Sequence, residues 1–309
     1  MVADPYCQQV RSVVKLKKGL MEEQNMPYVI TTESGSDISQ ELIERFNIKV
    51  IPMHVTLGER TVDDGSIPVS EIYDFYDETG TLPKTSGSTP EDFRVMFEKI
   101  FSETPDATII HVAYSAITTV SYNSGRIAAE DFNNIHLVDS KNVSGGLTAV
   151  VVATAQFVEE NPTATPEEII AFVEDVRERT RFVFLPQTLT YLKAGGRVSN
   201  VQFFGASLLN IHPTIALTDG KLLAAKKYRG SFQRCIKNVI NDFFKTYDII
   251  PETLTIGGTD GLSQADTDFA LNEVKSHGFA TAHTFDAGAV ISSHGGPGAF
   301  GIIAIEKKK

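Results

Sequence analysis

The sequence predicts an α/β protein of two domains, the first built on a largely parallel sheet and the second of α+β type. Three observations carry this expectation. Apolar runs of strand length alternate with helix-period segments from Tyr28 to about residue 180. From Arg181 onward that alternation gives way to strands, a hairpin signal and separated helices. A chain of 309 residues with 42% hydrophobic content can bury a core large enough for two such units. The expected organisation is an extension over 1–26, an α/β domain over 27–180 and an α+β domain over 181–309.

The extension is mixed polar and charged, and Met26 is a candidate for an alternative start. Tyr28-Val29-Ile30-Thr31 is the first strand. A turn, Glu33-Ser34-Gly35-Ser36, leads to a helix with Asp37 as N-cap and Gln40 three residues on. Ile38, Leu42, Ile43 and Phe46 share one face of that helix. Ile48 to Leu57 reads as one strand with a bulge or edge at Pro52, and Ser70 to Tyr76 as a short helix. Thr89, Pro90, Glu91 and Asp92 open a further helix: a capping hydroxyl, a proline with the right φ, and acids at the positive end. Thr85, Ser86 and Ser88 then fall in a loop feeding a helix N-terminus. Such a loop is suited to an anion, or is simply well capped.

Thr108–Val112 is a buried strand and Ile135–Val138 another strand, each followed by a polar loop and a helix. Ligands on such sheets gather at the loops after the strands, here Ser115–Thr119 and Ser140–Ser144. Thr165 and Glu168 form a capping box. Beyond residue 180, Phe182–Leu185 is a strand, Leu189–Lys193 a short helix, and Asp219-Gly220 the turn of a hairpin. Phe232–Tyr247 and Ala265–Ser276 are helices around a strand at Thr253–Ile256. An apolar strand-like segment, Gly288–Ile291, delivers His294 into a glycine-rich turn, and Phe300–Ile305 leaves it. His294 is either a structural histidine in a tight turn or a site histidine approached by backbone or ligand.

Composition narrows the function. The net charge of −11 argues against nucleic acid or an anionic membrane as principal partner, leaving at most transient membrane contact. Cys7 and Cys235 supply neither a disulfide framework nor metal-ligand spacing, and no secretory pattern opens the chain, so a cytoplasmic location is expected. No H-E-x-x-H, P-loop or G-x-S-x-G element is present, and no metal or cofactor is expected. Hydroxyl-rich loops, one glycine-embedded histidine and much apolar surface remain. That is an inventory for binding more than for catalysis.

Seven elements in order resemble the DegV family of bacterial proteins, which includes the fatty-acid-binding subunits of fatty acid kinase. They begin with Glu33-Ser34 followed by Asp37-Ile38, then Asp64-Gly65 and Leu82-Pro83-Lys84-Thr85-Ser86-Gly87-Ser88-Thr89-Pro90. Val138-Asp139-Ser140 with Ser144-Gly145-Gly146-Leu147, Leu192 to Arg197, Leu208 to Pro213, and His294-Gly295-Gly296-Pro297-Gly298-Ala299 continue the series. The resemblance implies the two-domain fold of that family, a fold type shared with dihydroxyacetone kinase (EDD), with a lipid site between the domains. It implies a palmitate-like or oleate-like fatty acid as ligand, its carboxylate held by Thr85, Thr119 and His294, with Ser86 adjacent. Arg197 and Arg229 match family arginines and are candidates for headgroup support or kinase docking. Phe182, Phe184, Phe203, Phe204, Leu208 and Leu209 are candidate walls for the tail. Two departures stand out: Val120 replaces a glycine, which predicts less space beside the headgroup, and Gly87 replaces a glutamine.

The expected function is therefore a non-catalytic carrier that presents a bound fatty acid to a separate ATP-dependent kinase. Two alternatives stay open. One is a phosphotransfer subunit like that of dihydroxyacetone kinase, with a small ligand on His294; the other is a lipid-sensing regulator.

Overall fold

The computed structural model describes residues 27–196, 198 and 211–308. The chain opens on β1 (Tyr28–Glu33), then α1 (Gln40–Phe46), β2 (Lys49–Ile51), β3 (His54–Leu57), β4 (Arg60–Asp63), α2 (Ser70–Thr79) and β5 (Lys84–Ser86). Next come α3 (Pro90–Glu103), β6 (Thr108–Ala113), α4 (Ser121–Ala129), β7 (Ile135–Asp139), α5 (Ser144–Glu160) and α6 (Pro166–Arg179). The remainder is β8 (Thr180–Leu185), α7 (Thr190–Gly195), β9 (Ile211–Thr218), β10 (Lys221–Arg229), α8 (Phe232–Thr246), β11 (Thr255–Gly258), α9 (Gln264–Ser276), β12 (His283–Asp286), α10 (Ala289–Gly295) and β13 (Phe300–Ile305).

The strands form three sheets. A four-stranded sheet in the order β2-β1-β6-β7 is parallel throughout. Every residue of β6 is buried, as a parallel strand covered on both faces requires. A six-stranded sheet runs β10-β9-β8-β13-β11-β12, with only β11 and β12 parallel. A small antiparallel sheet, β4-β3-β5, completes the set.

One apolar core joins the two larger sheets. Ile30 and Val112 of the parallel sheet, Leu147, Val150 and Val151 of α5, and Phe182, Ile215 and Ile303 of the six-stranded sheet belong to it. Helix α5 lies between the sheets, which explains why it is apolar all round. Its small N-terminal residues allow the close approach: a Cβ on Gly145 would sit 3.1 Å from Ile303 Cδ1. No helix among the described residues is long and apolar enough to cross a membrane.

Signals confined to a few adjacent residues appear in the fold as expected. Thr89 and Thr165 each complete a capping box with Pro at the helix start. Asp219 and Gly220, both at positive φ, turn β9 into β10. Four expectations are corrected. Ile48–Leu57 is two strands in different sheets, because Pro52 has no N–H for a ladder and Met53 N instead donates to Ser34 Oγ at 3.0 Å. The N-cap of α1 is Ser39, not Asp37, whose carboxylate is used elsewhere and whose φ is 57°. Thr85 and Ser86 sit in strand β5, paired to Val55 and His54, not in a loop. Gly288–Ile291 is not a strand: it begins helix α10, whose last turn carries His294.

Candidate functional site

Helix α10, strand β5 and the loop after β6 converge on one cavity. α10 delivers His294, whose Nε2 lies 2.7 Å from Thr85 Oγ1 of β5. Thr119 comes from the loop after β6, and Ser121 N donates to its Oγ1 at 3.3 Å. Two glycines explain how these groups come so close. A Cβ on Gly87 would collide with Thr119 Oγ1, and one on Gly195 with the His294 ring. Neither glycine has positive φ, so contact, not backbone geometry, demands the missing side chain.

Thr85, Ser86, Thr119 and His294 all border this cavity, as do Phe182 and Phe184. Met53, Leu192, Leu222, Phe285 and Ile291 supply further apolar wall. The space, with its opening, is about 880 Å³. Arg229, by contrast, is exposed at the end of β10 and is not among the lining residues. Arg197, Phe203, Phe204, Leu208 and Leu209 lie outside the described residues. Val120 is corrected: it is 71% exposed and does not line the cavity, so it takes no space beside His294. The other departure, Gly87, is what admits the threonine hydroxyl at 119.

Sequence reasoning missed the acids beneath these groups. Glu33 is wholly buried. Its Oε2 accepts from Tyr114 N at 2.8 Å and lies 3.3 Å from His111 Nε2, while its Oε1 accepts from Ser121 Oγ at 2.9 Å. Burial alone would raise its pKa, yet the facing His111 and the hydrogen bonds from His111, Tyr114 and Ser121 bring it below the usual carboxylate value. Thr31 Oγ1 lies 2.8 Å from His111 Nδ1 and fixes the ring from behind.

Asp37 behaves oppositely. Its carboxyl turns inward, Oδ2 accepting from Ser144 Oγ at 2.5 Å and Oδ1 from Gly288 N at 2.8 Å. Burial pushes its pKa well up, and nearby Asp64 and Asp286 add repulsion that the hydrogen bonds only partly offset. Asp64 accepts from Ser34 Oγ at 2.8 Å and from Val290 N at 3.2 Å, and burial raises it too. The sequence signals were present, since Asp37-Ile38 and Asp64-Gly65 are among the family-like elements. What was absent was any hint that two acids 27 positions apart meet one helix.

The match to known proteins covers almost all of the described chain. The model of the DegV family, described as uncharacterised proteins, matches residues 27–307. This chain belongs to the DegV family. The DegV domain-containing protein lin1977 of Listeria innocua is 32% identical over 88% of this chain and 96% of its own length. A Thermotoga maritima protein named as a fatty acid-binding protein is 28% identical over 92% of this chain and its whole length. A DegV family protein from Thermus thermophilus, whose structure is described as fatty acid binding, aligns with a TM-score of 0.80 at 27% identity. That alignment covers 91% of this chain and all of the other.

Proposed function

We propose that this protein binds a long-chain fatty acid in the cavity between its two larger sheets and presents the carboxyl group to a separate ATP-dependent kinase. The observation that carries the reading is the cavity's composition. Its walls are mainly apolar, and they carry the Thr85–His294 hydrogen bond together with Thr119, whose hydroxyl lies against Gly87 two residues after Thr85. An acyl chain of roughly fifteen methylenes gains about 0.8 kcal/mol per buried CH₂, about 12 kcal/mol gross. The carboxylate opposes burial, since an unpaired buried charge costs several kcal/mol. Hydroxyl donors from Thr85 and Thr119, an imidazole N–H from His294, and Ser86 beside them offset that cost.

The Thr85–His294 hydrogen bond then stands where the carboxylate would insert, each group exchanging its partner for a carboxylate oxygen. The fatty-acid-binding relatives named above support the ligand class. Apolar walls such as Phe182, Phe184 and Phe285 favour an acyl chain over a small keto-alcohol, which has no use for them. Under this reading the protein is a carrier without a catalytic set of its own, and exposed Arg229 serves docking of the kinase more readily than the headgroup.

Mass spectrometry of organic extract from freshly purified protein tests the ligand. Stoichiometric fatty acid is expected. Its absence, together with failure of the delipidated protein to take up palmitate or oleate, would overturn the reading. A kinase-coupled assay for acyl phosphate tests the carrier role, and an unphosphorylated lipid in the presence of active kinase would leave a sensor instead.

A further inference from the structure

The two buried-side acids at α10 suggest more than capping. We infer that Asp37 and Asp64 are positioning residues: they clamp the first turn of α10 and thereby set where His294 meets Thr85 at the headgroup end of the cavity. This rests on the fatty-acid reading above.

A helix of seven residues does not support itself in water. The hydroxyls within α10 are turned to nearby carbonyls, Ser292 Oγ to Ala287 O at 3.2 Å and Ser293 Oγ to Ala289 O at 2.7 Å. Its N-terminal N–H groups depend on outside acceptors, and two carboxylates from separate loops provide them: Asp37 takes Gly288 N and Asp64 takes Val290 N. Both carboxylates flank one point. A Cβ on Gly288 would lie 3.3 Å from Asp37 Oδ1 and 3.2 Å from Asp64 Oδ1.

Each acid is in turn held by the frame of the site. Ser144, at the start of α5, donates to Asp37, and both residues carry left-handed backbones, with φ of 51° and 57°. A serine at positive φ is uncommon and needs surrounding structure to hold it there. Ser34 donates to Asp64 while accepting from Met53 N, one residue before β3. Strand β3 pairs with β5, the strand of Thr85. The clamp therefore fixes α10 against the same small sheet that carries the hydroxyl His294 must face. Over six residues of helix, about 9 Å, an error in the first turn is passed directly to the imidazole. Two acids kept in so poor a solvent are a costly way to cap a helix, where one serine would serve. A demand for position accounts for them.

The test compares Asp37→Ala, Asp64→Ala, Asp37→Asn and Asp64→Asn in the delipidated full-length protein. Affinity is measured for palmitate and for hexadecanol, which keeps the chain and lacks the carboxylate. The alanine variants should lose about tenfold in palmitate affinity, the order of one lost helix cap, and less than about twofold for hexadecanol. The asparagine variants, which keep an acceptor for the helix N–H groups, should return palmitate binding to within about threefold of the parent. The His294 ring resonances should shift in the alanine variants alone. Folded alanine variants with parental palmitate affinity, or equal losses for both ligands, would overturn the clamp. Should Asp37→Ala fail to fold, Asp64→Ala carries the same comparison. A parent protein that binds neither ligand overturns the fatty-acid reading itself, a result separate from unchanged variants.

Discussion

Glu33 ends strand β1 and Asp37 stands four residues further on; each serves one arm of the candidate headgroup site, and their surroundings drive them in opposite directions. Glu33 supports the Thr119 arm through Ser121 and Tyr114, and it faces a histidine. Asp37 supports the His294 arm through α10, and it faces two further acids. Burial raises both; only at Glu33 do a facing histidine and hydrogen bonds from three groups together outweigh it. Depth alone does not set a carboxyl's state, because the charges and hydrogen bonds around it together decide whether burial prevails.

The contrast has consequences for stability. Glu33, depressed in the folded state, contributes stability present above its unfolded pKa, about 4.3, and lost as pH falls through its lower folded value. Asp37, raised in the folded state, does the reverse. Its folded form holds the proton more tightly, so the associated stability is present below about pH 4 and lost as pH rises through the folded value. The two groups therefore oppose each other across mildly acidic pH.

Replacing one acid at a time breaks this symmetry, and the largest effect should come from Glu33. Glu33→Ala leaves Tyr114 N and Ser121 Oγ without their buried acceptor and His111 without its facing acid, and should cost about 3–5 kcal/mol by chemical denaturation at pH 7. A loss under about 1 kcal/mol would mean water reaches the pocket. On the opposite arm, His294→Ala and Thr85→Ala should weaken fatty acid retention by about 1.5–3 kcal/mol each, with the melting temperature little changed. Unchanged binding by both would remove the headgroup assignment.

Crowding the arms is the subtler intervention. Gly195→Ala and Gly87→Ala should each cost about 1–3 kcal/mol, the first displacing the His294 ring and the second the Thr119 hydroxyl. Fatty acid titration calorimetry reads both, and parental affinity in either would show that its neighbour moves aside freely. The smallest effect belongs to Asp37→Asn at neutral pH. It should be neutral or stabilising by under about 1 kcal/mol, and should flatten the decline in stability on raising the pH above about 4. A stability loss comparable to that of Glu33→Ala would show that Asp37 is held as an anion after all.

Much of the fold was readable in the chain because its signals are local. The capping boxes at Thr89 and Thr165, the turn at Asp219-Gly220 and the apolar runs of β6 and β7 each depend on a few adjacent residues. The errors cluster where a residue answers to a distant partner. Asp37 looks like a cap from its neighbours, yet Ser144 and Gly288 claim its carboxyl. Gly288–Ile291 has the composition of a strand, but two acids at its N-terminus and serine hydroxyls folded back on it make a helix. Val120 looked like an obstruction beside the headgroup because sequence cannot say which way a side chain turns.

What the sequence determined by itself was the class of fold, the family, and the hydroxyls and histidine proposed for the headgroup site, because residue type, period and ordered motifs are written along the chain. Only the tertiary structure decided that His294 rides on a helix, that Gly87 and Gly195 make way for Thr119 and His294, and that two buried-side acids hold that helix in place. Those facts depend on contacts between segments dozens to hundreds of residues apart. Their energies come from burial and from the charge across the gap, and both exist only once the sheets have closed on one another.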